Sequence, residues 1–361
     1  MKKGLIISFM ILATIGVVMV YSSSKIWAIY KNDSSIYYLI RQLIFYFIGI
    51  SACFFISKVS YLKFQKYKNV FIIVAIILLV LVLVPGIGIV RGGARSWIGY
   101  GVFSFQPSEF VKISLIIYVA NYLTKNKEEI DKISYLFPLL LVIVLIFGLI
   151  MLEPDFGTGM IIVLSILLMI LLSGIKKRYI AISLLSGFAG MVFLVISEPY
   201  RLKRIFAFVN PWEDPLGAGF QSIQSLYAIG PNGLFGRGLF NSIQKHFFLP
   251  EPQTDFVYAI LVEELGLIGG VVIIILFFVL FYNGILIALK SKDLFGTYLA
   301  IGITGSIFVQ FFINVGVVIG LLPVTGVTLP FISYGGSSLI MNFIMMGILI
   351  NISKTSNDDV C

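Results

Sequence analysis

Chemistry at a membrane boundary needs charged side chains where an apolar chain leaves water, and this sequence places few of them there. Asp255 is the foremost. It closes Leu249-Pro250-Glu251-Pro252-Gln253-Thr254-Asp255 and stands directly before a long apolar run. A carboxylate at such a junction either caps the following helix or meets the polar head of a lipid-linked molecule. Asp155 carries two readings as well, in Glu153-Pro154-Asp155-Phe156-Gly157-Thr158, which joins two apolar runs almost without a loop: an N-cap with first-turn charge, or a carboxylate facing outward. Arg95 lies in Arg91-Gly92-Gly93-Ala94-Arg95-Ser96-Trp97, and Glu109 and Lys112 follow Pro107 at a spacing that puts them on one helical face. This set is either a local ion pair with interfacial anchors or a cationic platform for an anionic head group, since Arg and Lys bind phosphate by charge and hydrogen bonding. Glu263 and Glu264 fall at hydrocarbon depth, where a charge must be paired or face a wet cavity. Ser333 and Tyr334 sit in an uncharged stretch from Pro323 to Gly336 that reads as a buried re-entrant turn, with both side chains and nearby backbone amides as contacts for sugar or phosphate.

The elements that must position these residues follow from composition. The chain has 361 residues, 59% hydrophobic and 12% charged, against roughly a quarter charged in soluble domains. It reads as an all-α polytopic membrane protein, a single domain over residues 1–361. Ten apolar runs approach the roughly 20 residues needed to cross a bilayer: 4–22, 36–57, 69–90, 106–124, 134–152, 156–174, 178–197, 256–288, 294–322 and 332–351. Lys2 and Lys3 before the first run resemble a signal peptide, but the run's length and the spans after it favour an uncleaved helix. Basic clusters at Lys58–Lys68, Lys125–Lys132, Lys176–Arg178 and Lys290–Lys292 alternate with lightly charged connections. The positive-inside rule therefore puts both termini in the cytoplasm of a cytoplasmic-membrane protein, with the 198–255 segment between spans seven and eight outside. That segment is rich in Trp, Phe, Leu and Tyr, the composition of a folded cap rather than of disorder.

The same pattern excludes other classes. The net charge of +9 comes from basic clusters between apolar runs, the signature of membrane topology, so no nucleic-acid partner is implied. Cys53 lies in an apolar run and Cys361 ends the chain, so no disulfide framework is readable, and the single His246 argues against a His-based metal site.

The ordered motifs GARSWI with FQPSEFVK, EPDFGT, PWEDPLGAGFQSIQSLYAIGPNGLFGRGL, LPEPQTDFVYAILVEELGLIGG and LPVTGVTLPFISYGGSS resemble the SEDS family, bacterial membrane enzymes that polymerise peptidoglycan. QSLYAIGPNG and LPEPQTDF look more like the division and sporulation branch, FtsW and SpoVE, than the elongation branch, RodA. The resemblance covers nearly the whole length. It implies lipid II as substrate, a β-1,4 glycan strand as product and a class B penicillin-binding protein as partner. It implies Asp255 as the essential carboxylate, with Arg95, Glu109 and Lys112 at positions associated with function and Asp155 in another recurrent motif; together with Lys245 and Ser333 these are the expected substrate-binding residues. Where many relatives carry an Arg before Gln-Lys, this chain has Ile243-Gln244-Lys245. No cofactor is implied beyond a divalent cation, Mg or Mn, at the departing pyrophosphate. The chemistry that suits these residues is general-base activation of a sugar hydroxyl by Asp255 while Arg95 and Lys112 hold the pyrophosphate. A lipid II flippase and a non-catalytic scaffold are the rival expectations; the flippase predicts functional charge at the midplane.

Overall fold

The computed structural model describes residues 2–101, 104–129 and 132–355. A helix overlies each of the ten apolar runs: α1 (Lys2–Asn32), α2 (Tyr37–Ile56), α4 (Lys68–Leu83), α5 (Pro107–Lys125), α6 (Ile133–Leu152), α7 (Phe156–Leu171), α8 (Lys177–Ile196), α11 (Val257–Leu289), α12 (Leu294–Val318) and α13 (Gly336–Thr355). Six of them, α1, α2, α6, α11, α12 and α13, are long and apolar enough to cross a membrane. The chain is a multi-pass membrane protein. The short α3 (Leu62–Lys66) precedes α4, and α9 (Pro199–Val209) and α10 (Phe220–Ile229) lie between α8 and α11. Strands β1 (Gly88–Arg91) and β2 (Ala94–Ile98) form an antiparallel hairpin after α4.

Some helices are shorter than their apolar runs, for local reasons. Val84 precedes Pro85 and adopts extended backbone (φ −68°, ψ 126°), as a residue before proline prefers, so α4 stops at Leu83. α12 ends at Val318, and residues 319–335 form an irregular connection to α13. α12 is the centre of the bundle, with 78% of its most apolar window buried against 17% for α2. It packs against α5, α7, α11 and α13. Its buried Gln310 and Asn314, one turn apart, donate to the Thr328 carbonyl (3.0 Å) and the Val327 carbonyl (2.7 Å) of the connection. Irregular backbone inside a membrane domain persists only where protein satisfies it, and these amides do so.

The segment between α8 and α11 is folded and tied to the bundle, as its aromatic content predicts. Ser225 on α10 donates to the Val318 carbonyl at 2.7 Å. A second tie is ionic. Lys245 donates to Glu264 (2.9 Å), the Phe240 carbonyl (2.7 Å) and Ser22 of α1 (3.2 Å), while Ser22 also donates to Glu264 at 2.6 Å. Glu263 accepts from the Ile243 amide at 2.8 Å and from the Ser242 hydroxyl, and Arg237 lies 3.6 Å from it. Both intramembrane carboxylates are thus paired. α11 breaks at Gly266, whose φ of 71° and ψ of −174° are open to glycine alone. A Cβ there would stand 2.2 Å from the Leu234 carbonyl. The loop takes over the interrupted ladder, with the Leu267 and Ile268 amides donating to Gly233 and Leu234.

Candidate active site

Asp255 lies in the turn before α11, half-buried. It does not cap that helix: Phe256 holds the cap position, and no side chain accepts a bond there. What fixes it is the backbone around it. The Gln253 carbonyl accepts from the Tyr334 amide (2.8 Å), the Thr254 carbonyl from the Ser333 hydroxyl (2.5 Å) and the Asp255 carbonyl from Asn314 (2.7 Å). Three successive carbonyls are therefore held by α12 and the α12–α13 connection, which leaves the carboxylate itself for other work. One of its oxygens faces Gly326, 3.6 Å from where a Cβ would stand. Burial, then the nearby Glu251, pushes the Asp255 carboxyl up to about 6, while a hydrogen bond with Thr254 and the charge of Arg204 hold it down.

Asp155 takes the N-cap reading of its motif. It caps α7, accepting from the Thr158 amide at 3.2 Å, and its other oxygen accepts from Gln106 at 2.9 Å. Burial raises its pKa against those two bonds, and it lies within electrostatic reach of Asp255 and Glu109. Behind it Glu153 is fully buried without a hydrogen-bond partner, and burial beside Asp155 pushes its carboxyl up to about 8. Gly157 brings α7 against the Thr325 carbonyl, so the two acidic turns meet on the same connection.

Glu109 and Lys112 form a buried ion pair at 2.8 Å, and Lys112 also donates to Gln310 at 2.9 Å. Gln310 in turn holds Thr328, so the pair braces the connection from α5. Arg95 lies on β2, its guanidinium donating to the Leu83 carbonyl at 3.4 Å. No contact among the described residues joins it to Lys112. Lys245 makes its bonds in the Glu263 and Glu264 cluster, and Ser333 clamps the Thr254 carbonyl.

Sequence reasoning passed over α9. Arg204 donates to the Val324 carbonyl at 3.0 Å and bears on Asp255, and Arg201, one turn away, lies 5.5 Å over the Phe156 ring beside Asp155. The signal was present in the sequence as Arg201, Lys203 and Arg204 on a short segment opened by Pro199. Gln106, Gln310 and Asn314 were also findable, as polar side chains within or at the mouth of apolar helices. Among the described residues no group of three or more His, Cys, Asp or Glu is placed to hold a metal ion. Asp155 is bonded to Thr158 and Gln106 and Glu109 is paired with Lys112, so a divalent cation here would rest on the Asp255 carboxylate and the oxygens of a bound diphosphate.

The model of the cell cycle protein family FTSW_RODA_SPOVE matches residues 2–358. The chain belongs to this FtsW, RodA and SpoVE family. It is 51% identical over 353 residues to stage V sporulation protein E of Bacillus subtilis (strain 168), covering 98% of this chain and 96% of that one. It is 41% identical to a probable peptidoglycan glycosyltransferase FtsW of Trichlorobacter lovleyi, covering 97% and 92%. Its fold is similar to a chain of a solved peptidoglycan synthase complex that coordinates polymerization and crosslinking, with a TM-score of 0.82 at 27% identity over 99% of this chain and 98% of that one. Within the FtsW, RodA and SpoVE family, the similarity to the sporulation and division members agrees with the branch that the motif wording favours.

Proposed function

We propose that this chain is a peptidoglycan glycosyltransferase that polymerises lipid II into β-1,4 glycan on the outer face of the cytoplasmic membrane. In this reading ten helices cross the bilayer, both termini are cytoplasmic, and residues 198–255 form the outer cap. A class B penicillin-binding protein is the partner. The observation that carries the reading is Asp255: a half-buried carboxylate with its backbone fixed on both sides, standing between the 198–255 segment and α11 and within electrostatic reach of Arg204.

The chemistry runs from these groups. The acceptor sugar's 4-hydroxyl is a poor nucleophile until its proton is taken, and Asp255 accepts it. The freed oxygen forms a bond to C1 of the donor sugar as the bond from C1 to the phosphate oxygen breaks. The electron pair leaves with the undecaprenyl pyrophosphate, an anion that requires positive charge rather than a proton. A glycosidase needs a second, acidic carboxyl for its leaving group; here one carboxylate suffices. Arg204, with Arg201 beside it, meets the departing pyrophosphate, and Arg95 on the hairpin is the further cation assigned to it in this reading. Lys112, spent on Glu109 and Gln310, acts by holding the connection that carries Asp255. Asp155 and Gln106 order the facing wall, and Lys245 and Ser333 fix the cap and the turn.

The flippase reading rests on charge at the midplane. Glu263 and Glu264 are taken up by Lys245, Ser22 and Ser242, which favours a structural role for them. A detergent-purified protein, with no bilayer to cross, tests the proposal: supplied with lipid II, alone and with a class B partner, it yields a glycan ladder. A ladder that persists in Asp255→Ala, or its absence from the wild type in both conditions, removes the enzyme reading as stated.

A further inference from the structure

A second group of side chains stands beside the Asp255 turn without a part in the chemistry above. At the start of α2, Tyr37 and Tyr38 meet edge to face at 5.2 Å, and Tyr38 meets Tyr334 of the α12–α13 connection the same way at 5.0 Å. The Arg41 guanidinium lies 4.1 Å over the Tyr37 ring, and its charge bears on the Tyr334 side chain. Across from them on the hairpin, Arg91 lies 4.8 Å over Trp97 and its charge reaches Tyr334. These aromatic residues are part-exposed, and Arg91 is exposed. Tyr334 also donates its amide to the Gln253 carbonyl, two residues from Asp255, so the cluster is continuous with the catalytic turn.

Resting on the glycosyltransferase reading, we propose that Tyr38, Tyr334, Arg41 and Arg91 form a saccharide subsite that holds the glycan strand next to Asp255. Tyrosine offers a rigid apolar face for a pyranose ring and a hydroxyl for its polar edge, at little entropic cost. The guanidiniums fit the free carboxylates of the stem peptide or, in a peptide-free strand, the lactyl carboxylates of N-acetylmuramic acid. Charge separates this ligand from the diphosphate. Glu251 bears on Tyr38 and on Asp255, so the rim on this side carries a negative charge that disfavours a pyrophosphate, whereas Arg204 approaches from α9. The strand thus lies toward α2, and the lipid-linked diphosphate toward α9.

The test uses the full chain, alone and with a class B partner, and a soluble tetrasaccharide of alternating N-acetylglucosamine and N-acetylmuramic acid as probe. The double variant Tyr38→Leu/Arg41→Gln binds the tetrasaccharide about tenfold more weakly, the scale of one lost aromatic platform and one charge-assisted contact. Compared at matched lipid II consumption, its glycans are shorter. Tyr282→Leu, which removes an exposed ring from α11, changes neither quantity. An unshifted thermal transition certifies the fold; if the double variant does not fold, Arg41→Lys, which keeps the charge and loses the planar fork, carries the same comparison. Unchanged affinity and unchanged length overturn the subsite. A wild type that polymerises but binds no tetrasaccharide overturns the subsite alone, while one that binds it and never polymerises overturns the glycosyltransferase reading.

Discussion

Replacing Asp255 with Asn removes a proton acceptor and a poorly solvated charge while keeping the side chain's shape, so activity and stability should move in opposite directions. The carboxyl stands at about 6 in the fold against 3.8 for an ordinary Asp, a difference of about 2 pKa units. At 1.36 kcal/mol per unit, the ionised form is disfavoured by the fold by about 3 kcal/mol, as an order of magnitude. The sign follows from the raised value. The group's contribution to stability is fully present below 3.8, where both states are protonated, and is lost as pH rises through about 6. Asp255→Asn does not ionise, so it is more stable than wild type at pH 8 by up to that amount, and the advantage falls to about half by pH 5. Its glycan synthesis drops by about 10² to 10⁴, the usual worth of a general base.

Two assays read this. Thermal unfolding in detergent at pH 8 and pH 5 gives the stability difference, and a glycan ladder from lipid II gives the rate. The wild-type rate falls off below about pH 6, tracking protonation of the base. A variant that retains more than about a tenth of the wild-type rate, or a wild-type rate that is flat through pH 6, would refute the assignment of Asp255. A variant destabilised at pH 8 would refute the account of its charge.

Other outcomes follow from the neighbours. Arg204→Gln removes the cation that offsets Asp255, so its pH–rate profile shifts upward and its rate at neutral pH drops about 10- to 100-fold, the worth of a charge-assisted bond, measured by the same ladder across pH. Lys112→Met strands Glu109 as a buried lone charge and destabilises by about 3–5 kcal/mol, whereas the double variant Glu109→Gln/Lys112→Met recovers most of that loss in a thermal-shift cycle. Gly326→Ala combines a side chain at φ +75° with a methyl group 3.6 Å from an Asp255 oxygen, so it costs about 1–2 kcal/mol of stability and lowers the glycan rate; an unchanged rate would show that this residue does not shape the site.

The sequence discloses what depends on local order and conceals what depends on contact. Apolar run length places every long helix, and the pre-proline position of Val84 accounts for where α4 ends short of its run. Pro107 opens α5 as predicted, and Glu109 and Lys112 share a face as their spacing requires. Asp155 is legible as a cap, because its cap partner is three residues away. Asp255 is legible as a junction residue, yet only the fold shows that it does not cap α11 and that Asn314, 59 residues on, holds its carbonyl. The basic cluster on α9 was legible, but the partner of Arg204 was hidden for the same reason: nothing local to α9 reveals that it reaches Val324, 120 residues away. Lys245 shows the converse, since the presence of a lysine in a polar loop says nothing of Ser22 and Glu264, which consume its charge.

The element that unites the acidic turns carries no charge of its own. The connection from 319 to 335 lends carbonyls at Val324, Val327 and Thr328, the amide of Tyr334 and the hydroxyl of Ser333, and with them it receives Arg204, Asn314, Gln310 and the Asp255 turn. A fixed charge in this hub would stand beside Asp255 and Asp155 and move both pKa values, since like or opposite charges at such range in a poorly solvated site act strongly. Neutral dipoles position without titrating. The proton affinity of Asp255 is then set by burial, Glu251, the hydrogen bond with Thr254, Arg204 and Asp155, and of the charges Glu251 and Arg204 act most strongly. Substitutions within the connection should therefore change the rate by displacing the carboxylate while leaving the acidic limb of the pH profile where it was, and substitutions at Arg204 or Glu251 should move that limb. A hub variant that shifts the limb without changing the rate plateau would contradict this division of labour.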